Sequence, residues 1–268
     1  MTRFTIIALF LSLFLVIEKA EGQRTMQIAK FRFGIQASPQ LSNLKTSDIG
    51  IKGNGIGNLG VKIGALADYY FRENYAISAG LGFGFNQGGQ LLHEKGGNFL
   101  KNSTLTKSAL NEGTKTKPLP DGVKIRYHIN HLEIPLSLKM RTNQFGYLRY
   151  YAEAPIITLG FLTKARGDID GDNIKVDNEN IKPDVVPLAL SWGFGGGVQY
   201  DISDNTGLTA GLYFQRVFSD ATRNGGYKAV TLEQENDPAT KTDDIYTTKT
   251  EDTRATMGIL TLRIGVLF

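Results

Sequence analysis

The chain has 268 residues, 31 of them glycine and none cysteine, with a formal net charge of +4 and 41% hydrophobic residues. The lack of cysteine excludes disulfides, thiolate metal sites and a lipid-modified N-terminal cysteine, and the average hydrophobicity excludes a disordered chain. Lysines and arginines are scattered, with no basic run interleaved with aromatics, so the positive balance does not point to nucleic acid.

The first element is an export signal. Arg3 gives a basic start, residues 4–17 are uncharged and apolar, and Ala20-Glu21-Gly22 places small residues before Gln23. The apolar run is shorter than the roughly 20 residues of a spanning helix, and Glu18-Lys19 ends it. The expectation is a cleavable signal peptide at 1–22 followed by one domain at 23–268. No later segment could cross a membrane as a helix, so a membrane-embedded chain must cross as strands.

Beyond the signal, the recurring pattern is alternation of period two. Val61, Ile63, Ala65, Ala67, Tyr69 and Phe71 alternate with Lys62, Gly64, Leu66, Asp68, Tyr70 and Arg72. Similar runs start at Tyr75 and Leu188, and the chain closes with Leu260, Leu262, Ile264, Val266 and Phe268 against Thr261, Arg263, Gly265 and Leu267. Segments near 31–41, 60–72, 74–87, 123–141, 147–164, 188–201, 205–218 and 254–268 read as strands of roughly ten residues, the length that crosses a bilayer when tilted. Within 123–141 the apolar set changes phase, from Ile125, Tyr127 and Ile129 to Leu132, Ile134, Leu136, Leu138 and Met140. That change reads as a β-bulge, and a second slip is expected at Pro155.

Connections alternate in length. Arg72-Glu73-Asn74, 142–146 and 202–205 read as tight turns, and 42–59, 88–122, 165–187 and 219–253 as long polar loops. The expected fold is therefore all-β: a transmembrane eight-stranded antiparallel up-and-down β-barrel with long extracellular loops and short periplasmic turns. A soluble barrel would put the apolar face inside. Three features put it outside. The alternate positions are mainly small, as a narrow lumen needs. Tyr69, Phe71, Tyr75, Phe145, Tyr147, Tyr150 and Tyr200 gather beside the short turns like an interfacial girdle. The last strand ends on Phe268, resembling an outer-membrane assembly signal.

These residues also carry a family likeness. Phe31-Arg32-Phe33-Gly34-Ile35, Leu132-Glu133-Ile134-Pro135-Leu136-Ser137-Leu138-Lys139, Tyr151-Ala152-Glu153-Ala154 and the closing 262–268 strand resemble the PorT-like outer-membrane β-barrel family common in the Bacteroidetes. His131 stands where that family usually has Tyr, and Pro155 where it usually has Gly. The resemblance implies an outer-membrane barrel, and its best-known member is linked to protein secretion. The partners expected of such a barrel are the outer-membrane lipid bilayer and lipopolysaccharide, the barrel-assembly machinery and an envelope protein of unknown identity.

Candidate chemistry is sparse, and no catalytic, cofactor or metal site is assigned. Glu133 with Lys139, and Arg149 with Glu153, share non-lipid faces and read as an internal ion-pair network rather than an anion path. The histidines are His93, His128 and His131. Ser137, His131 and Glu133 supply hydrolase residue types, but Ser137 and His131 are six positions apart on one strand, roughly 20 Å. Asp168, Asp170 and Asp172 with Glu179 echo a calcium loop, with Asn173 in place of its glycine. The 88–122 loop carries five lysines against Glu94, Glu112 and Asp121, a candidate contact for lipopolysaccharide phosphates, whereas 165–187 and 219–253 are acidic and could meet cations or a protein. The function expected is that of a non-enzymatic envelope scaffold or loop-mediated binder. A small-solute pore and a membrane-embedded lipid hydrolase are the alternatives.

Overall fold

A computed structural model describes residues 31–46, 50–172, 174–203, 206–223, 227–233, 245–251 and 254–268. The signal peptide expected at 1–22 lies outside them. Eight strands form the wall: β1 (Phe31–Thr46), β2 (Ile51–Arg72), β3 (Tyr75–His93), β4 (Val123–Arg141), β5 (Leu148–Gly171), β6 (Leu188–Asp201), β7 (Gly207–Val217) and β8 (Ala255–Leu267). Each pairs antiparallel with its sequence neighbours, and β1 pairs with β8 to close the ring. Phe33 and Phe268 exchange backbone hydrogen bonds of 2.8 and 2.7 Å, so the wall closes at the short-turn end. A further strand, Ile174–Asn180, folds back onto the top of β5.

The apolar side faces out. Leu81, Leu136 and Ile264 are each about half exposed, while Lys62, Asp68, Glu133, Lys139, Glu153 and Arg263 are buried inside. With no water around the barrel, exposed leucines are solvated by hydrocarbon, and the closed ladder leaves no free strand edge to the lipid. The girdle also forms: Phe31 lies 4.8 Å from Tyr69, Phe71 6.3 Å from Tyr75 and Tyr147 5.9 Å from Tyr200, ring centre to ring centre.

Several expectations need correction. The strands exceed ten residues, reaching 24 in β5. Residues 42–59 are not a loop, because β1 runs to Thr46 and β2 begins at Ile51. The strands continue past the membrane with inverted polarity. Above the lipid-facing band the inward positions become Leu44, Leu91, Val123, Ile125, Tyr127, Ile129, Ile169, Val217, Met257 and Ile259. The outward ones become polar, as with Lys45, Gln90, Lys124 and Arg126. Water now lies outside the wall, so the apolar face turns inward.

This inversion also explains β4. Its burial alternates without a break from Val123 to Met140, with every odd position inward. The change of phase at Leu132 is therefore not a bulge in β4; the solvent changed, not the pleat. The irregularities sit in its neighbours, between Gly84 and Gln87 of β3 and beside Thr163 of β5. The slip expected at Pro155 is present, with β5 offset between Glu153 and Ile156.

The upper chamber is closed by the 94–122 connection. Phe99, Leu100, Leu105 and Leu119 sink into the apolar cluster, and the Phe99 ring lies 3.9 Å from that of His93. Asp184 holds the cap from the opposite side, accepting from the Asn102 amide at 3.0 Å and from the Ser103 hydroxyl. Glu179 accepts from the backbone and hydroxyl of Thr106, both at 3.0 Å.

Candidate functional site

The membrane-level lumen is a ladder of paired charges. Glu133 and Lys139 of β4, and Arg149 and Glu153 of β5, all point inward or line the lower rim, as their spacing indicates. None pairs within its own strand. Glu133 pairs with Lys62, Lys139 with Asp68 at 2.6 Å, Glu153 with Arg263 at 2.7 Å, and Arg149 with Asp201 at 3.0 Å. Arg32 approaches the same Asp201 at 3.5 Å. Lys62, Asp68, Arg263, Arg32 and Asp201 were missed as a set by the sequence, although each charge on a small-residue face was a usable signal.

Neutral groups complete the ladder. Gln87 donates to Glu133 at 2.6 Å and to Gln40 at 3.1 Å, and Gln40 donates to Thr261 at 3.0 Å. Tyr213 donates to Glu153 at 3.0 Å while the Arg263 guanidinium lies 3.7 Å over its ring. Gly195 makes room for that ring: a Cβ there would stand 2.1 Å from Tyr213 Cδ1. Two of the gaps left in the lumen are about 10 Å³ each, room for a single water. The lumen is packed, and the apolar cap lies above it.

The hydrolase residue types are not brought together. His131 Nδ1 lies 2.9 Å from Gln87, and the Ser137 hydroxyl donates to Glu153 at 3.2 Å. Glu133 is committed to Lys62 and Gln87.

The residues that echo a calcium loop are not gathered into one site. Asp168 and Asp170 belong to β5, not to a loop, and Asp172 follows at its end. On an extended strand, side chains two apart are separated by roughly 7 Å, so the three carboxylates cannot converge on one ion. Among the described residues no group of three acidic or histidine side chains gathers as a metal site. Glu179 faces inward and holds Thr106, and Asn173 lies outside the described residues.

His93 ends β3 above the membrane band and is fully buried. Neither ring nitrogen has a protein partner, and burial lowers its pKa to about 3. It packs as a neutral aromatic. His128, by contrast, lies between Asn86 at 2.6 Å and Asp168 at 2.9 Å on the outer wall.

A closed ring of antiparallel strands, greasy outside and charge-paired within, defines an outer-membrane β-barrel protein. The chain belongs to the family described as outer membrane protein beta-barrel domain, whose model matches residues 20–223. Similar solved structures include Neisserial surface protein A at 12% identity and TM-score 0.36, covering 88% of this chain and 95% of that one. The attachment invasion locus protein Ail of Yersinia pestis matches at 12% identity and TM-score 0.36, covering 89% and 99%. The outer membrane protease OmpT of Escherichia coli matches at 7% and 0.34, covering 91% and 99%. No curated protein sequence matches the chain.

Proposed function

We propose that this protein is a non-enzymatic scaffold of the outer membrane, working through its projecting rim and loops. The packed, charge-paired lumen carries this reading: among the described residues its charges are paired and two of its gaps are only water-sized, which favours a scaffold over a solute path or a substrate cavity. The surfaces that remain are the outer wall above the membrane and the loops, with exposed Lys107, Lys115 and Lys117 among their charges. We assign those lysines to lipopolysaccharide phosphates and the acidic 219–253 region to an envelope protein. The likeness of 132–139 to the PorT-like strand supports a link to protein secretion.

Crosslinking on intact cells followed by affinity capture tests the scaffold. The expected result is a discrete envelope partner that is lost when residues 227–251 are replaced by a short linker. Capture of nothing but the barrel itself would sink the reading. Planar-bilayer recordings address the pore: the expected trace is silent, and steady conductance steps would favour a channel instead.

A further inference from the structure

The outer wall carries a feature that neither the lumen nor the loops explain. Where β3, β4 and β5 leave the membrane, an open cleft of about 260 Å³ is lined by Asn86, His128, Asn130, Lys164, Arg166, Asp168 and Asn178. It stands directly over the lipid-facing band. Asn86 follows the outward Phe85, Asn130 and Lys164 are cross-strand partners, and Leu132 pairs with Phe161 just below. Lys164 is three residues past Phe161, roughly 10 Å along the strand. That is headgroup height.

Its charges are uncommitted. Neither Lys164 nor Arg166 forms an ion pair among the described residues, and Arg166 donates only to the Asn178 carbonyl at 3.0 Å. Lys182 lies nearby, donating to the Thr163 carbonyl at 3.0 Å. The one carboxylate is already engaged: Asp168 accepts from the Asn178 amide at 2.8 Å and contacts His128 at 2.9 Å. Burial pushes the Asp168 pKa up, but those donors and the nearby Arg126 outweigh it, holding the carboxyl below its usual range. Asn86 and Asn178 have φ of 57° and 58°, the two positive-φ non-glycine residues among those described, and both line this cleft. Left-handed backbone is tolerated there by asparagine, and it shapes the two walls of the hollow.

We propose that this cleft binds the phosphorylated headgroup of an outer-leaflet lipid, with Lys164 and Arg166 on the phosphate, Asn86 and Asn130 at its edge, and the acyl chains lying along Leu132, Ile134, Leu159 and Phe161. Guanidinium and ammonium donors suit phosphate oxygens, and the apolar wall below solvates the chains. The site holds whatever the loops bind, because it rests only on the barrel's place in the outer membrane.

The test uses the full-length barrel in phosphatidylcholine vesicles, with and without lipid A as the phosphorylated glycolipid. Bound lipid is read by native mass spectrometry after detergent extraction. The double variant K164Q/R166Q should retain lipid A about thirtyfold less well, near fivefold for each cation removed. The control K124Q/K175Q, two exposed lysines farther up the wall that flank Asp170, should match wild type. Wild type should discriminate against dephosphorylated lipid A, and inorganic phosphate should not compete. Equal retention by K164Q/R166Q, equal loss in the control, or no discrimination against the dephosphorylated lipid would overturn the site. Competition by inorganic phosphate would make it a soluble-anion site, overturning the lipid assignment.

Discussion

Lys62 and Glu133 show what holds the membrane-level interior. Both are buried, and their attraction offsets a large desolvation cost only while both are present. Lys62→Met should destabilise the barrel by about 3–5 kcal/mol, measured as the shift in urea midpoint in vesicles. Adding Glu133→Gln should recover most of that loss, since no uncompensated charge remains. If the double variant is worse than the single, the pair is not the unit of stability. Gly195 acts through space rather than charge. Gly195→Val drives a side chain into the Tyr213 ring and should cost about 1–3 kcal/mol, while weakening the Tyr213 bond to Glu153. Tyrosine fluorescence and the same urea titration would read both effects. His93 adds a dependence on pH. Its folded pKa of about 3 lies below the usual 6.5, so the unfolded chain binds more protons between those values. Stability is complete above about pH 6.5 and falls by roughly 1.4 kcal/mol per unit as pH drops toward 3. His93→Leu should flatten that part of the urea-midpoint profile. An unchanged slope would remove His93 from the account.

At the scale of the element, β4 carries the lesson of the wall. One unbroken pleat serves two solvents, lipid around Leu132 to Met140 and water around Lys124 to Asn130. The same substitution should therefore behave differently along it. Leu136→Arg places a charge against hydrocarbon and should cost about 2–4 kcal/mol. Arg126→Leu, outward but above the membrane, should change stability little apart from its 3.1 Å bond to Gln90. Comparing the two by equilibrium unfolding in vesicles checks the height of the band; equal costs would place its upper edge wrongly. The sequence showed the phase change in β4 plainly. It could not show that the pleat was intact, because an inserted residue and an inverted environment leave the same trace in an apolar-polar pattern. Nor could it see strand ends, since the polar outer face of a strand in water reads like a loop. That is why 42–59 looked like a connection.

For the whole molecule, closure is the governing property. A ring with no free edge resists detergent, so the folded barrel should run at a different gel mobility from the boiled chain. Lack of any such shift would speak against the closed ring. Among the described residues, cap and lumen together fill the interior of the cylinder with apolar packing above and paired charges below.

Strand count, the lipid-facing side, the girdle and the outer-membrane setting were determined by the sequence alone, because period-two alternation and turn spacing are local and the bilayer is a uniform solvent. The same pattern marked Glu133, Lys139, Arg149 and Glu153 as interior. Their partners were not legible. Lys62, Asp68 and Arg263 meet theirs across the lumen from non-adjacent strands, Asp201 meets Arg149 from the rim of the next strand, and alternation fixes a face without fixing a height. Only ring closure and strand stagger set those heights. The same stagger decided that Lys164 and Arg166 share a cleft with Asn86, whereas the rise along β5 keeps Asp168, Asp170 and Asp172 from converging on one ion.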